Sequence, residues 1–261
     1  MRISIITQED SFVIPKNIEL LLREKNIVVA SIYTVEGKGS LQNKLSYFVK
    51  GFGFLQSFKM GIILVFSKVL DKIDLLLFNG KLPGEKRSIS IVAKKHRITF
   101  GVLKNLRDIE TLNVLRSQNL DLILSFSAPC IFPTTLLEIP KHGCINLHCS
   151  LLPAYAGVLP SFWTMYHKEK INGATVHFMD DKIDNGDILG QVCIDISDCR
   201  SMYQSICKTK QAGGELMIDV IHRIMTDNVQ VIPNDTSKGS YFSWPTIKQI
   251  QDYRKKGGRL I

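Results

Sequence analysis

The chain has 261 residues, enough for one large or two small domains with a substantial core. Hydrophobic residues make up 45 % and charged residues 22 %, which excludes a disordered chain. The net charge of +9 points either to an anionic partner (a nucleotide, a polyanion or a membrane surface) or to no more than a basic, soluble surface. In chain order, RISIIT at 2–7 is predicted as a buried strand, without the long apolar stretch of a signal peptide. A short helix is expected over 17–26, with Ile18, Leu21 and Leu22 on one face, and a second buried strand over 27–34. The stretch GFGFLQSFKMGIILVFSKVL at 51–70 is apolar but holds Lys59 and Lys68, so it is too interrupted to span a membrane. It reads as a buried or surface-packing helix, with a monotopic membrane contact as the alternative. Further strands are predicted at 74–79, 96–102, 120–127 and 144–149, and a helix at 107–119 with Ile109, Leu112 and Leu115 at helical spacing. These strands are apolar without strict alternation and are interleaved with helices. That pattern predicts an α/β fold: a Rossmann-like, mostly parallel sheet with helices on both faces.

After position 150 the texture changes. Strands at 173–179 and 187–196 are joined by the short link DDKIDNG, which predicts an antiparallel or mixed extension of the sheet. An amphipathic helix is expected at 214–228, with Leu216, Val220, Ile221 and Ile224 facing inward, followed by a tail with one short helix. The fingerprints G-x-G-x-x-G, G-x-x-x-x-G-K-[ST] and G-x-S-x-G are absent, which weakens nicotinamide, P-loop and serine-hydrolase readings. The six cysteines show no C-x-x-C spacing, so neither a zinc site nor a disulfide framework is implied, and a reducing cytoplasm is the consistent compartment.

One strand breaks the apolar rule. In CINLHCSLLPAYAG at 144–157, alternation puts Asn146, His148 and Ser150 on one face, opposite Ile145, Leu147 and Cys149. A row of buried hydrogen-bonding side chains costs free energy unless each is satisfied, so this face either borders a site or is an unusual core. Downstream, Asp180, Asp181, Asp184 and Asp187 crowd one loop, which as turn formers they could do without any function. Together, an amide, an imidazole and a carboxylate can run an acyl transfer. The amide and a protonated imidazole stabilise an oxyanion, and the carboxylate orients the imidazole and helps remove the proton of an attacking amine. Cys149 competes poorly as a nucleophile, because it sits on the face opposite His148.

INLHCSLLPAYAGVLPSFW followed by GATVHFMDDKIDNGDILGQ resembles the motifs of the folate-dependent formyltransferases, Asn-x-His-x-Ser-Leu-Leu-Pro and the later Asp-x-Gly. The match in order and spacing covers roughly 74–196 well and the first strand loosely. The resemblance implies a catalytic trio of Asn146, His148 and Asp184, with the turn Ser150–Pro153 supporting it. It implies N10-formyltetrahydrofolate as formyl donor and no metal. The pterin is then expected between the loop 128–133, through Cys130, Ile131 and Phe132, and the loop 179–184, through Asp180 and Ile183, mostly by backbone hydrogen bonds and apolar walls. The implied organisation is a catalytic domain over 1–200 with the segment 201–261 packed on it. Cys149 and Ala156 depart from the residues many relatives carry, and the stretch TQEDSFVIP lacks the Gly-Thr-Pro start of the tRNA enzymes.

The acceptor amine is not given by the trio. The tRNA enzymes of this family carry a further C-terminal barrel, whereas GVLPSFW and YFSWPT are similar to the sugar N-formyltransferases. The resemblance therefore implies a nucleotide-diphosphate amino sugar, such as a 4-amino-4,6-dideoxyhexose of polysaccharide biosynthesis, with methionyl-tRNA as the alternative acceptor and nucleic acid less favoured. Relatives often dimerise, so a homodimer is expected. Tyr155, Phe162 and Trp163 either stack on the acceptor or belong to the core. From another class, a non-catalytic basic module binding nucleic acid or a membrane surface through 51–70 and the basic tail remains open.

Overall fold

The computed structural model describes residues 1–10, 12–35, 41–82, 87–127 and 130–261. Its elements run β1 (Arg2–Thr7), α1 (Ile14–Leu21), β2 (Val28–Val35), α2 (Leu41–Phe52), α3 (Phe54–Leu77), α4 (Ile89–His96), β3 (Thr99–Leu103), α5 (Ile109–Ser117) and β4 (Leu122–Phe126). They continue with α6 (Thr134–Leu137), β5 (Cys144–His148), β6 (Ala156–Gly157), α7 (Pro160–Tyr166), β7 (Ile171–Phe178), β8 (Ile188–Asp195), α8 (Met202–Met225), β9 (Tyr241–Phe242) and α9 (Ile247–Lys255).

Seven strands form one sheet in the order β3-β2-β1-β4-β5-β7-β8. From β3 to β5 every pairing is parallel; β5–β7 and β7–β8 are antiparallel. The sheet is thus mostly parallel and Rossmann-like, with the mixed edge that the 173–196 segment predicts. The chain leaves β1 toward β2 and β3, then returns to lay β4 and β5 on its other side. This reversal of strand order opens a crevice at the carboxyl ends of the strands, where ligands of open α/β sheets bind.

One face of the sheet is closed by α1, α4 and α8. Ile3, Ile5, Leu124, Ile145 and Leu147 pack there with Met217, Val220 and Ile221 of α8. The other face packs Ile6, Ile123, Phe132 and Leu136 against Leu112 and Leu115 of α5. The α5 helix is started by Asp108, whose carboxylate accepts from Thr111 N at 3.1 Å. Asp10 braces the turn that precedes α1, accepting from Phe12 N and Val13 N at 2.8 Å. Its other oxygen meets Lys210 Nζ of α8 at 2.6 Å. Burial opposes both charges, but each holds the other ionised: the Asp10 carboxyl is pulled down and Lys210 raised.

The strand expected at 74–79 does not form. Those residues end α3, a 24-residue helix, and turn at Asn79–Gly80. Asp74 accepts from Leu82 N at 2.7 Å and closes that turn. A short apolar run fits either a strand or the end of a buried helix, and here helix continuation from Phe54 wins. The helices α2, α4, α6 and α7 also go beyond the expected elements. The α2–α3 pair is inserted between the adjacent strands β2 and β3, and α2 rests on α9. Burial on α3 is inverted: Ser67 and Asp74 are the buried side chains, and most of its large apolar residues face solvent.

Candidate active site

The polar row of β5 sits at the carboxyl end of the central sheet, as the alternation requires. Asn146 and His148 are each 6 % exposed, and Ser150 is fully buried. The Ser150 hydroxyl donates to Ala154 O at 2.7 Å, and Thr175 Oγ1 donates to Ser150 O at 2.6 Å and accepts from Leu152 N at 3.1 Å. These bonds fold the turn 150–155 back under β5. The carbonyl of Tyr155 is thereby brought to His148 Nε2, at 2.9 Å.

Asp184 reaches the same point from the loop between β7 and β8. Its Oδ2 lies 3.4 Å from His148 Nδ1 and accepts from Gly157 N at 2.8 Å. Gly157 has φ +98°, and a Cβ there would meet Phe242 O at 2.1 Å, so only glycine lets β6 lie against β9 and offer that N–H. Asp184 itself is in the left-handed region, at φ +48°. Asn234 secures it by donating to Asp184 O at 2.9 Å and Gly186 O at 3.3 Å. Both ring nitrogens of His148 thus face oxygen acceptors, a setting the doubly protonated ring satisfies at both ends.

A fourth side chain, His177, completes the cluster. It lies opposite Asn146 across the β5–β7 pairing. Its Nδ1 donates to Phe178 O at 2.6 Å. Burial lowers its pKa, and the nearby Asp184 carboxylate only partly offsets this. The neutral ring then offers the Nε2 lone pair to Asn146 Nδ2, 3.3 Å away. Among the described residues one N–H of the Asn146 amide remains for a ligand, and Asn146 Oδ1 has no partner. Sequence reasoning gave His177 no role, although it carries the same signal as β5: Thr175 and His177 are polar at period two between the apolar Ala174, Val176 and Phe178. Asn234 had no such signal, because only the fold brings it to Asp184.

The other expected residues divide. Cys130 and Ile131 are exposed, as is Ile183, while Phe132 is fully buried in the core cluster against which Met179 also packs. Asp180 accepts from Lys182 N at 2.9 Å and from the Asn185 amide, so its carboxylate shapes its own loop. Burial raises the Cys149 thiol, which removes it as a nucleophile. Phe162 and Trp163 are core: they pack with Phe52, Ile250 and Tyr253.

The sequence pattern of the formyl transferase family matches residues 79–221, more than half of the chain and all four clustered side chains. The chain belongs to the formyl transferase family. It is 37 % identical over 175 residues to methionyl-tRNA formyltransferase of Halalkalibacterium halodurans, a match covering 66 % of this chain and 55 % of that protein. The Clostridium tetani protein of the same name is 34 % identical over 164 residues, covering 61 % and 53 %. The chain therefore spans about half the length of these relatives. In fold it is similar to a sugar N-formyltransferase from Shewanella (TM-score 0.59, 17 % identity, covering 94 % of this chain and 77 % of that one). It is similar too to the Helicobacter canadensis N-formyltransferase solved with folinic acid and dTDP-3-aminofucose (TM-score 0.59, 17 % identity, 97 % and 79 %). A third likeness is phosphoribosylglycinamide formyltransferase of Bacillus halodurans (TM-score 0.60, 18 % identity, 87 % and 96 %).

Proposed function

We propose that this formyltransferase moves a formyl group from N10-formyltetrahydrofolate to the amine of a nucleotide-linked amino sugar. The observation that carries the transfer is the meeting of Asn146, His148 and Asp184 from two separate elements at one buried point. The unpartnered Asn146 Oδ1 and the exposed apolar Ile131 and Ile183 suit a polar ring system held between the two loops. Cys130, Ile131, Phe132, Asp180 and Ile183 are proposed to line it. When bound, the folate supplies the electrophilic formyl carbon.

The residues then divide the work. Neutral His177 fixes the Asn146 amide, so that its free N–H faces the formyl oxygen as charge develops there. His148 supplies a second donor. In this structure its Nε2–H is spent on Tyr155 O, so delivery to the oxyanion requires that partner to be exchanged. Asp184 holds the imidazolium through Nδ1 and takes the proton of the attacking amine, directly or through water; as the oxyanion collapses, the bond from the formyl carbon to N10 breaks and that nitrogen leaves with a proton as tetrahydrofolate.

The acceptor rests on other grounds. Fold neighbours include a sugar N-formyltransferase and an N-formyltransferase solved with dTDP-3-aminofucose, and the net charge of +9 suits a diphosphate. Tyr241 is exposed and pairs with Ala156, next to the Gly157 N–H that binds Asp184; it offers a ring to a base. A second reading, methionyl-tRNA, is favoured by the names of the sequence relatives. The test is tetrahydrofolate release from N10-formyltetrahydrofolate with a panel of nucleotide-linked amino sugars beside charged initiator tRNA. Release with one sugar is expected. Release with tRNA alone replaces the acceptor and keeps the trio, and release with neither overturns the enzyme reading. A cytoplasmic setting and a homodimer belong to the same proposal.

A further inference from the structure

The α2–α3 insertion lies outside the residues matched to the family, apart from the turn that follows it, and the transfer chemistry makes no use of it. Its surface is organised. Along α3, Phe58, Ile62, Val65, Val69, Ile73 and Leu76 are all exposed and recur at steps of three and four residues. They form one continuous stripe over about 27 Å of helix. Phe66 and Leu77, also exposed, widen it to an arc of about 120°, broader than the narrow seam of a coiled coil.

The charges follow the arc. Lys59 sits at one border and Lys72 at the other, with Lys68 just beyond, where Glu9 offsets part of its charge. Between 41 and 77 the acidic residues are Asp71 and Asp74, half-buried and buried, on the side turned to the protein. The fold adds more cations. Arg254 donates to Gly51 O at 3.1 Å, and Ile261 N donates to Gln56 Oε1 at 3.2 Å, which lays the basic tail along the start of α3. Arg254 and Arg259 border a cleft whose other wall is Phe54 and Leu55.

We propose that this face docks on an anionic lipid bilayer, with α3 lying in the plane of the interface. The apolar arc enters the boundary between headgroups and acyl chains. The flanking lysines and the basic tail reach the lipid phosphates, their stems lying along apolar surface. No described helix is long and apolar enough to cross a membrane, so the helix lies on the bilayer and does not span it. A second copy fits the face less well. A two-fold pairing of this surface would bring the lysines of both copies together with no exposed carboxylate on α2 or α3 to meet them.

The test is flotation of the full chain with vesicles of phosphatidylglycerol in phosphatidylcholine, beside vesicles of phosphatidylcholine alone, with light scattering on the lipid-free protein. Flotation with the anionic vesicles, weakened by salt and at least tenfold weaker with the neutral ones, is expected. Lys72→Glu should lower partitioning by more than about fivefold, the effect of one basic residue near such a surface. A Phe58→Ser, Val69→Ser double variant should abolish flotation with an unchanged circular dichroism spectrum, because both side chains are already exposed. Flotation independent of lipid charge, or none at all, overturns the proposal. A dimer that the double variant splits gives the face to a second copy and overturns it too.

Discussion

Two regions of this molecule bury the wrong residues by ordinary rules, and they do so in opposite senses. At the end of β5, polar side chains are buried, and nearly every one has a partner: Ser150 and Thr175 bond main chain, while His148, His177 and Asp184 bond one another or carbonyls. The remaining acceptor, Asn146 Oδ1, faces the place where chemistry is expected. On α3, apolar side chains are exposed, and the buried Ser67 and Asp74 face the protein. The first pattern belongs to a site whose polar groups are fixed before a ligand arrives. The second fits the bilayer docking proposed for α3. Inverted burial draws attention to both, and the chemistry of the inverted residues separates the two proposals.

The comparison can be broken by truncation. Leu147→Ala, on the apolar face of β5, is expected to cost about 3 kcal/mol in denaturant unfolding. Leu76→Ala on α3, whose side chain is 73 % exposed, should stay within about 0.5 kcal/mol. Equal losses would mean that the α3 stripe is core after all. Asn146→Ala should leave the melting temperature nearly unchanged and slow formyl transfer about a hundredfold, or about 2.7 kcal/mol in barrier. A normal rate would remove Asn146 from the trio.

Weaker effects sharpen it further. His177 is held neutral by burial, so its folded pKa lies below the unfolded value near 6.5. Its contribution is complete above that value. As the pH falls below it the unfolded chain takes up a proton that the folded chain resists, and stability is lost until the folded pKa is passed. Calorimetric melting between about pH 7 and pH 5 should therefore fall less steeply in His177→Asn than in the parent; parallel slopes would place the ring in a more polar setting. Asp108→Ala, which removes the α5 cap, should cost about 1 kcal/mol in the same unfolding assay and leave transfer untouched.

Much of the site could be read from the chain, because strand geometry is local. Period-two alternation alone puts Asn146 and His148 on one face, whereas turn chemistry marks all four aspartates of the 180–187 loop alike and only the family resemblance singles out Asp184. The same rule applied to Thr175 and His177 would have found the fourth member. The segment 74–79 misleads for an equally local reason: a short apolar run holds no period long enough to separate strand from helix. The stripe of α3 was visible as an apolar run, yet not as an exposed one. Whether a residue at helical spacing is core depends on what is packed against it, as the exposed Ile109 beside buried Leu112 and Leu115 illustrates.

The sequence by itself determined the α/β class, the parallel core strands, the polar row of β5 and the family. Each rests on periodicity or on motif spacing within a few residues. Only the tertiary structure decided that Asn234 holds Asp184, that Phe162 and Trp163 are core, that neutral His177 orients Asn146, and that the basic tail lies beside an exposed apolar helix. Those facts join residues from about 30 to about 200 positions apart, a distance over which closure of the chain, and no local preference, sets who meets whom.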